Sequence, residues 1–92
     1  MPTRITIMAE VKARVGSASY TSWNVGLAHD AEIQRKYLHE TEGQDVSRWT
    51  CWSAESLSDA LRIEDYFVEK GMKKCSTGGD LSTAHIVCLY IF

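Results

Sequence analysis

The sequence predicts an α+β domain in which two or three helices pack on a small, mostly antiparallel sheet of three strands. Apolar residues recur at three- and four-residue steps in some segments, as in amphipathic helices, and alternate with polar residues in others, as in strands. The last segment, 85–92, is apolar on both faces, which indicates a central strand covered on both sides. A chain of 92 residues suffices for one such domain, predicted over 1–92.

Residues 4–15 allow two interpretations. Apolar and polar side chains alternate through them, which is typical of a strand. The alanines of the segment, the cations Lys12 and Arg14 near its end and Gly16 directly after it are typical of a helix C-terminus. The helix is the preferred prediction, and the choice changes how the sheet can be ordered.

The next two elements are a strand and a helix. Alternating apolar residues predict a strand over 22–28. Asp30 has a side chain suited to an N-cap, so we expect a helix over 30–41 that Gly43 ends. The residues predicted to be buried on this helix are Ile33, Tyr37 and Leu38.

The second half begins with a short predicted strand over 48–53, and a helix follows from Ser56 to Gly71. Ser56 and Asp59 have the spacing of a capping box, and glycine suits a helix C-terminus. The apolar residues expected to face the core on this helix are Leu57, Ala60, Leu61, Phe67 and Val68. A loop over 73–80 then leads to the central C-terminal strand.

Composition argues against several classes of protein. The net charge of −2 disfavours a strong, unspecific nucleic-acid binder, because such proteins carry a clear basic excess. The longest apolar run, 86–92, is far shorter than the roughly 20 residues that span a membrane, and no signal-peptide segment follows the start. Three cysteines without a CxxC pair indicate free thiols, so a cytoplasmic location is predicted.

Glu64 interrupts the apolar stripe of the predicted helix 56–71 at its centre. A buried, unpaired carboxylate costs roughly several kcal/mol, so such a group is protonated, paired or bound to a cation. Two interpretations follow. Glu64 forms an ion pair with Arg35, Lys36 or Arg48, or it is the ligand of a divalent cation.

The Asn-Val-Gly segment at 24–26, Arg35 and His39 on the following helix, and Glu64 on a later helix resemble the second half of the GIY-YIG nuclease domain. In that family a Tyr-Ile-Gly strand leads into a helix with an arginine, and a later helix carries a glutamate. The resemblance covers roughly residues 22–68. It implies that Arg35 contacts the scissile phosphate, that His39 assists and that Glu64 holds one Mg²⁺ or Mn²⁺ ion. The competing interpretation is that Arg35 and His39 lie on a solvent-exposed face of the helix and have no binding role.

Three features depart from the family pattern. Asn24 replaces the tyrosine of the second motif, Arg35 lies one residue further from the glycine than usual, and no Gly-Ile-Tyr strand precedes Trp23. The C-terminal strand is expected to fill that gap in a circularly permuted arrangement, with Tyr90 as the catalytic hydroxyl beside Glu64. The predicted function is a domain that binds nucleic acid and does not cleave it efficiently. Whether it retains some activity as a metal-dependent endonuclease is left open.

A glycine-rich segment after the last helix is a second candidate site. Glycines allow backbone N–H groups to converge on an anion, and two lysines add positive charge. The residues predicted to hold phosphate are Lys73, Lys74, Ser76, Thr77, Gly78 and Gly79. A plain connecting loop is the competing interpretation.

Other candidates have weaker support. The three tryptophans are interpreted mainly as core residues and less as platforms for bases. Cys75, His85 and Cys88 lack the paired spacing of a zinc site. The alternative function is a small cytoplasmic protein-interaction module, a homo-oligomer or the partner of another protein, in which Glu64 is structural and nothing is catalysed.

Overall fold

The structure, a computed structural model, describes residues 3–17, 19–75, 81 and 87–92. The α+β class is confirmed, although the sheet has four strands where three were predicted. No helix in these ranges is long and apolar enough to cross a membrane. The elements, in chain order, are α1 Arg4–Val15, a 3₁₀ turn Tyr20–Ser22, β1 Asn24–Ala28, α2 Ala31–Glu40, β2 Thr50–Ala54, α3 Leu57–Lys70, β3 Lys73–Lys74 and β4 Val87–Ile91.

The strands form one mixed sheet in the order β2-β4-β1-β3. β4 is antiparallel to both of its neighbours, and Tyr90 lies between Gly26 of β1 and Cys51 of β2. β1 and β3 are parallel, with Asn24 beside Lys73. The predicted central position of the C-terminal strand is therefore confirmed. Residues 85 and 86 of that prediction lie outside the described residues.

Helix α1 covers one face of the sheet. Its buried residues are Ile7, Val11 and Val15, which recur at four-residue steps and form one stripe. The hydroxyl of Thr3 caps its N-terminus by accepting a hydrogen bond from the Thr6 N–H. The preferred helical interpretation of residues 4–15 is therefore confirmed.

Helix α3 packs beside α1 on the same face. Ser56 accepts a hydrogen bond from the Asp59 N–H at 3.1 Å, and Gly71 ends the helix with φ 122°, so both predicted boundaries are confirmed. The buried stripe is turned slightly from the prediction, because Ile63 is buried while Leu61 is exposed. The buried residues of α3 are Ala60, Ile63, Glu64 and Phe67.

Helix α2 lies on the other face of the sheet. Asp30 accepts hydrogen bonds from two backbone N–H groups of the first turn, as its predicted capping role requires. Leu38 is buried, but Ile33 and Tyr37 are 67% and 47% exposed, so their predicted burial is wrong. The helix instead buries Gln34, whose side-chain amide donates a hydrogen bond to the Tyr90 hydroxyl beneath the helix.

Candidate functional site

Glu64 lies in the middle of α3 and is only 1% exposed. Its Oε1 atom is 3.7 Å from Nζ of Lys74, and its Oε2 atom has no hydrogen-bond partner among the described residues. Burial raises the pKa of this carboxyl group, and the nearby ammonium offsets the rise only in part. Glu64 therefore forms an ion pair, as one of the two interpretations predicts. The cation is Lys74, however, so the predicted partners Arg35, Lys36 and Arg48 are wrong.

The short strand β3 explains this partner. In the parallel β1–β3 register Lys74 lies opposite Val25, whose side chain belongs to the core under α3. The Lys74 side chain therefore points to the face of the sheet that α3 covers. The Lys74 side chain is 57% exposed and keeps contact with water. A pair with one exposed partner contributes little to stability. The pair therefore links β3 to α3 while the carboxylate of Glu64 stays poorly solvated.

The surroundings of Glu64 meet only part of what a divalent cation requires. Oε2 is an unpartnered oxygen, which is the atom that Mg²⁺ prefers. Mg²⁺ also keeps several water ligands, however, and the enclosed side chain leaves little surface for them, while the Lys74 ammonium repels a cation. This placement suits an ion pair better than a hydrated magnesium ion.

Arg35 and His39 lie on α2, on the opposite face of the sheet from α3. Nη1 of Arg35 forms an ion pair with Oε1 of Glu32 at 3.0 Å. Nδ1 of His39 is 3.4 Å from the carbonyl oxygen of Gln44. The sheet therefore separates these two predicted site residues from Glu64.

Tyr90 also lies on the face of α2. Leu89 points into the core under α3, whereas Tyr90 packs with Leu38, because successive side chains of a strand point to opposite faces. The Tyr90 hydroxyl accepts a hydrogen bond from Nε2 of Gln34 at 3.2 Å, and burial raises the pKa of the phenol far above its ordinary value. Tyr90 and Glu64 therefore lie on opposite faces of the sheet, although the charge of Glu64 also contributes to the raised pKa of Tyr90.

Gly26, the glycine of the Asn-Val-Gly segment, makes room for the Tyr90 ring. A Cβ atom at this position would overlap the phenol and come within 2.9 Å of its Cε2 atom. A glycine here is thus explained by packing across the β1–β4 pair.

A cavity of about 400 Å³ lies along α2 and the turn that follows it. It brings two of the predicted site residues together, since Arg35 and His39 line it beside Lys36. The backbone N–H of Ser47 donates to Asp45 at 3.0 Å and lowers the pKa of that carboxyl group, so the turn holds an ionised side chain. The complete lining is Arg35, Lys36, His39, Glu40, Asp45, Val46 and Ser47.

The predicted anion-binding segment is described only at its start. Lys73 and Lys74 form β3, and both are exposed. Lys74 is turned toward Glu64. The remaining predicted positions, which lie outside the described residues, are Ser76, Thr77, Gly78 and Gly79.

The tryptophans occupy different environments. Trp23 belongs to the core under α3, with the Arg48 guanidinium carbon 3.8 Å from its ring centre. Trp52 is partly buried against the same core. Trp49 lies on the other face and stacks on Tyr90, an arrangement that sequence reasoning missed. The stacking of Trp49 on Tyr90 depends on the register of β2 against β4, which the sequence does not indicate.

No protein-family model matches the chain, and searches among curated proteins and among solved structures find no match. A function must therefore be inferred from the geometry of the described residues and from the sequence resemblance.

Proposed function

We propose that this chain is a GIY-YIG-like nucleic-acid-binding domain that holds backbone phosphate on α2 and does not cleave efficiently. The observation that supports this most is the cavity in which Arg35, Lys36 and His39 lie side by side. Guanidinium and ammonium groups donate charge-assisted hydrogen bonds to phosphate oxygens. Together they offer a phosphate group several donors from one helix.

Arg35 contacts a carboxylate on the same helix and still has donors for a ligand. One nitrogen of its guanidinium contacts Glu32 at 3.0 Å. A guanidinium has five N–H donors in a fixed fork, so donors remain for a phosphate. The Arg35 side chain is 43% exposed, which leaves these donors within reach of a ligand.

The charge of the cavity sets a limit on affinity. Glu40 and Asp45 line it together with two permanent cations, so the opposite charges nearly balance. Phosphate binding by few cations is weak and falls with salt. We therefore expect modest, salt-sensitive binding, which is compatible with the net charge of −2.

Efficient cleavage is not proposed because the residues that the family uses lie on opposite faces of the sheet. Glu64 faces the core on α3, whereas Arg35 is on α2 across the sheet. Asn24 stands where the family has a tyrosine, and an amide cannot exchange a proton as a phenol does. Mg²⁺ or Mn²⁺ stays a prediction for the case in which the protein does cleave.

The test is a titration of labelled single-stranded DNA and RNA oligonucleotides, followed by fluorescence anisotropy at several salt concentrations. The logarithm of the affinity should fall with the logarithm of salt by about 0.7 for each phosphate contact. The double variant Arg35→Ala, Lys36→Ala should lower that slope by about 0.7, because both side chains contact the same phosphate. Arg62→Ala is the matched control, since Arg62 is exposed on α3. An equal slope in both variants, or no binding at all, would refute the proposal.

A cleavage assay separates binding from nuclease activity. Supercoiled plasmid and labelled single strands are incubated with the protein and Mg²⁺ or Mn²⁺, beside a Glu64→Ala variant whose folding is checked. We expect no cleavage above the variant. Cleavage that disappears in a folded Glu64→Ala protein would contradict the proposal and indicate a metal-dependent nuclease.

A second candidate function, a protein-interaction module, is favoured by the exposed apolar pair on α2. Ile33 and Tyr37 lie one turn apart on the outer side of the helix. Contiguous exposed apolar groups mark interaction surfaces. Sedimentation equilibrium over a range of concentrations tests for a homo-oligomer, which Ile33→Ser with Tyr37→Ser should dissociate. A wild-type protein that stays monomeric throughout would exclude self-association.

A further inference from the structure

The aromatic stack on the face of α2 has an inner part and an outer member. The Trp49 ring lies on Tyr90 with centroids 4.4 Å apart and planes 16° apart, and Phe92 is 5.7 Å from the indole. Tyr90 and Phe92 are buried, whereas Trp49 is only partly buried. Tyr90 covers one face of the indole, and Trp49 as a whole keeps part of its surface exposed.

A backbone hydrogen bond connects Trp49 to a residue that lines the α2 cavity. Its backbone N–H donates to the carbonyl oxygen of Val46 at 3.1 Å. Val46 lines the cavity that Arg35 and Lys36 share, and its side chain packs in the same cluster as the indole. The segment 45–49 therefore contributes both to the lining of the α2 cavity and to the aromatic stack.

We propose that Trp49 is a stacking platform for one unpaired base of a single-stranded nucleic acid whose backbone phosphate lies in the α2 cavity. This inference rests on the proposed function and specifies its substrate class. Every base has a flat π face, so stacking on an indole adds affinity without reading the sequence. Tyr90 beneath the indole holds it in place, so little side-chain freedom is lost on binding.

A single strand fits this surface better than a duplex does. Inside a duplex both faces of a base are covered by its neighbours, and a base must leave the stack before a protein ring can cover it. A single strand presents its bases without that cost.

The test compares the affinity of the wild-type protein for oligothymidylate and for an abasic oligonucleotide of equal length and charge. We expect oligothymidylate to bind about tenfold more tightly. Trp49→Leu should remove this preference, and Trp49→Phe should retain part of it because a ring remains. Trp52→Leu is the matched control, since Trp52 lies on the opposite face of the sheet.

The outcomes distinguish this inference from the function on which it rests. Equal binding of both oligonucleotides, with a salt dependence that Arg35→Ala reduces, would refute stacking and leave phosphate binding in place. Binding of neither would refute both. Tighter binding of a duplex than of the single strand would refute the stacking role as well. If Trp49→Leu does not fold, Trp49→Phe still locates the effect, because the preference should then fall only in part; a preference unchanged in a folded Trp49→Phe would refute the role of Trp49.

Discussion

Replacing Glu64 with leucine should stabilise the protein. Oε2 of Glu64 is buried without a partner in the described part of the chain, and such an acceptor costs about 1–3 kcal/mol. Lys74 is 57% exposed, so it extends into water when the carboxylate is removed and no buried cation is left behind. We therefore expect the free energy of unfolding at neutral pH to rise by about 1–3 kcal/mol.

The alanine variant separates the polar cost from packing. Glu64→Ala removes the same unpaired oxygen but leaves a cavity beside Ile63 and Phe67. Truncation of a buried leucine to alanine costs about 2–5 kcal/mol, so the alanine variant should be less stable than the leucine variant by that amount. Glu69→Gln is the control for charge alone, because Glu69 is exposed on the same helix and is not among the charges that shift the pKa of Glu64.

The gain from leucine should depend on pH. Burial raises the pKa of Glu64 above the ordinary value of 4.5, so the folded state holds this proton to higher pH than the unfolded state does. The contribution of Glu64 to stability therefore falls as pH rises from about 4.5 through the raised pKa and then levels off. The leucine variant lacks this loss. Its advantage should be smallest below pH 4.5 and largest at neutral pH.

Urea unfolding followed by circular dichroism, at neutral pH and below pH 4.5, measures both effects. A leucine variant less stable than the wild type at neutral pH would refute this reasoning, because it would mean that the carboxylate makes a favourable contact. A stability difference that does not change with pH would contradict the raised pKa.

Three other substitutions probe α2 and β1. Glu32→Gln should raise the affinity for single-stranded oligonucleotides in anisotropy titrations, because Arg35 loses a competing carboxylate 3.0 Å away; a lower affinity would mean that Glu32 positions the guanidinium. Gly26→Ala should lower the free energy of unfolding by about 1–3 kcal/mol, because the new methyl group overlaps the Tyr90 ring; unchanged urea unfolding would show that the ring can move aside. Asp30→Ala should cost about 1 kcal/mol in the same assay and Asp30→Ser much less, whereas equal losses would argue against capping.

Elements with local causes were predictable from the sequence. The caps at Asp30, Ser56 and Gly71 each depend on one residue and its nearest neighbours, and all three lie where the sequence places them. The strand β3 was not predictable, because two lysines carry no apolar pattern. It exists because backbone N–H groups of Lys73 and Cys75 donate to carbonyl oxygens of residues flanking and within β1, at distances of 3.1 and 2.9 Å.

The candidate site shows the same limit. The burial of Glu64 followed from the helical stripe, but its partner depended on β3 and so was missed. Gln34 is buried on α2 because its amide reaches the hydroxyl of Tyr90, a residue 56 positions later in the sequence. Single-helix periodicity contains no information on such a partner, so it favoured Ile33 and Tyr37 instead.

The central place of β4 determines when the sheet can form. β1 and β2 each pair with β4, and in the described sheet they are not neighbours. During synthesis the segments 24–28 and 50–54 leave the ribosome well before their shared partner at 87–91. Pairing over such sequence separations pays loop-closure entropy before it gains contacts, which slows folding. The antiparallel part of the sheet therefore assembles only after the ribosome has released β4, and until then α2 and α3 have no completed surface on which to pack.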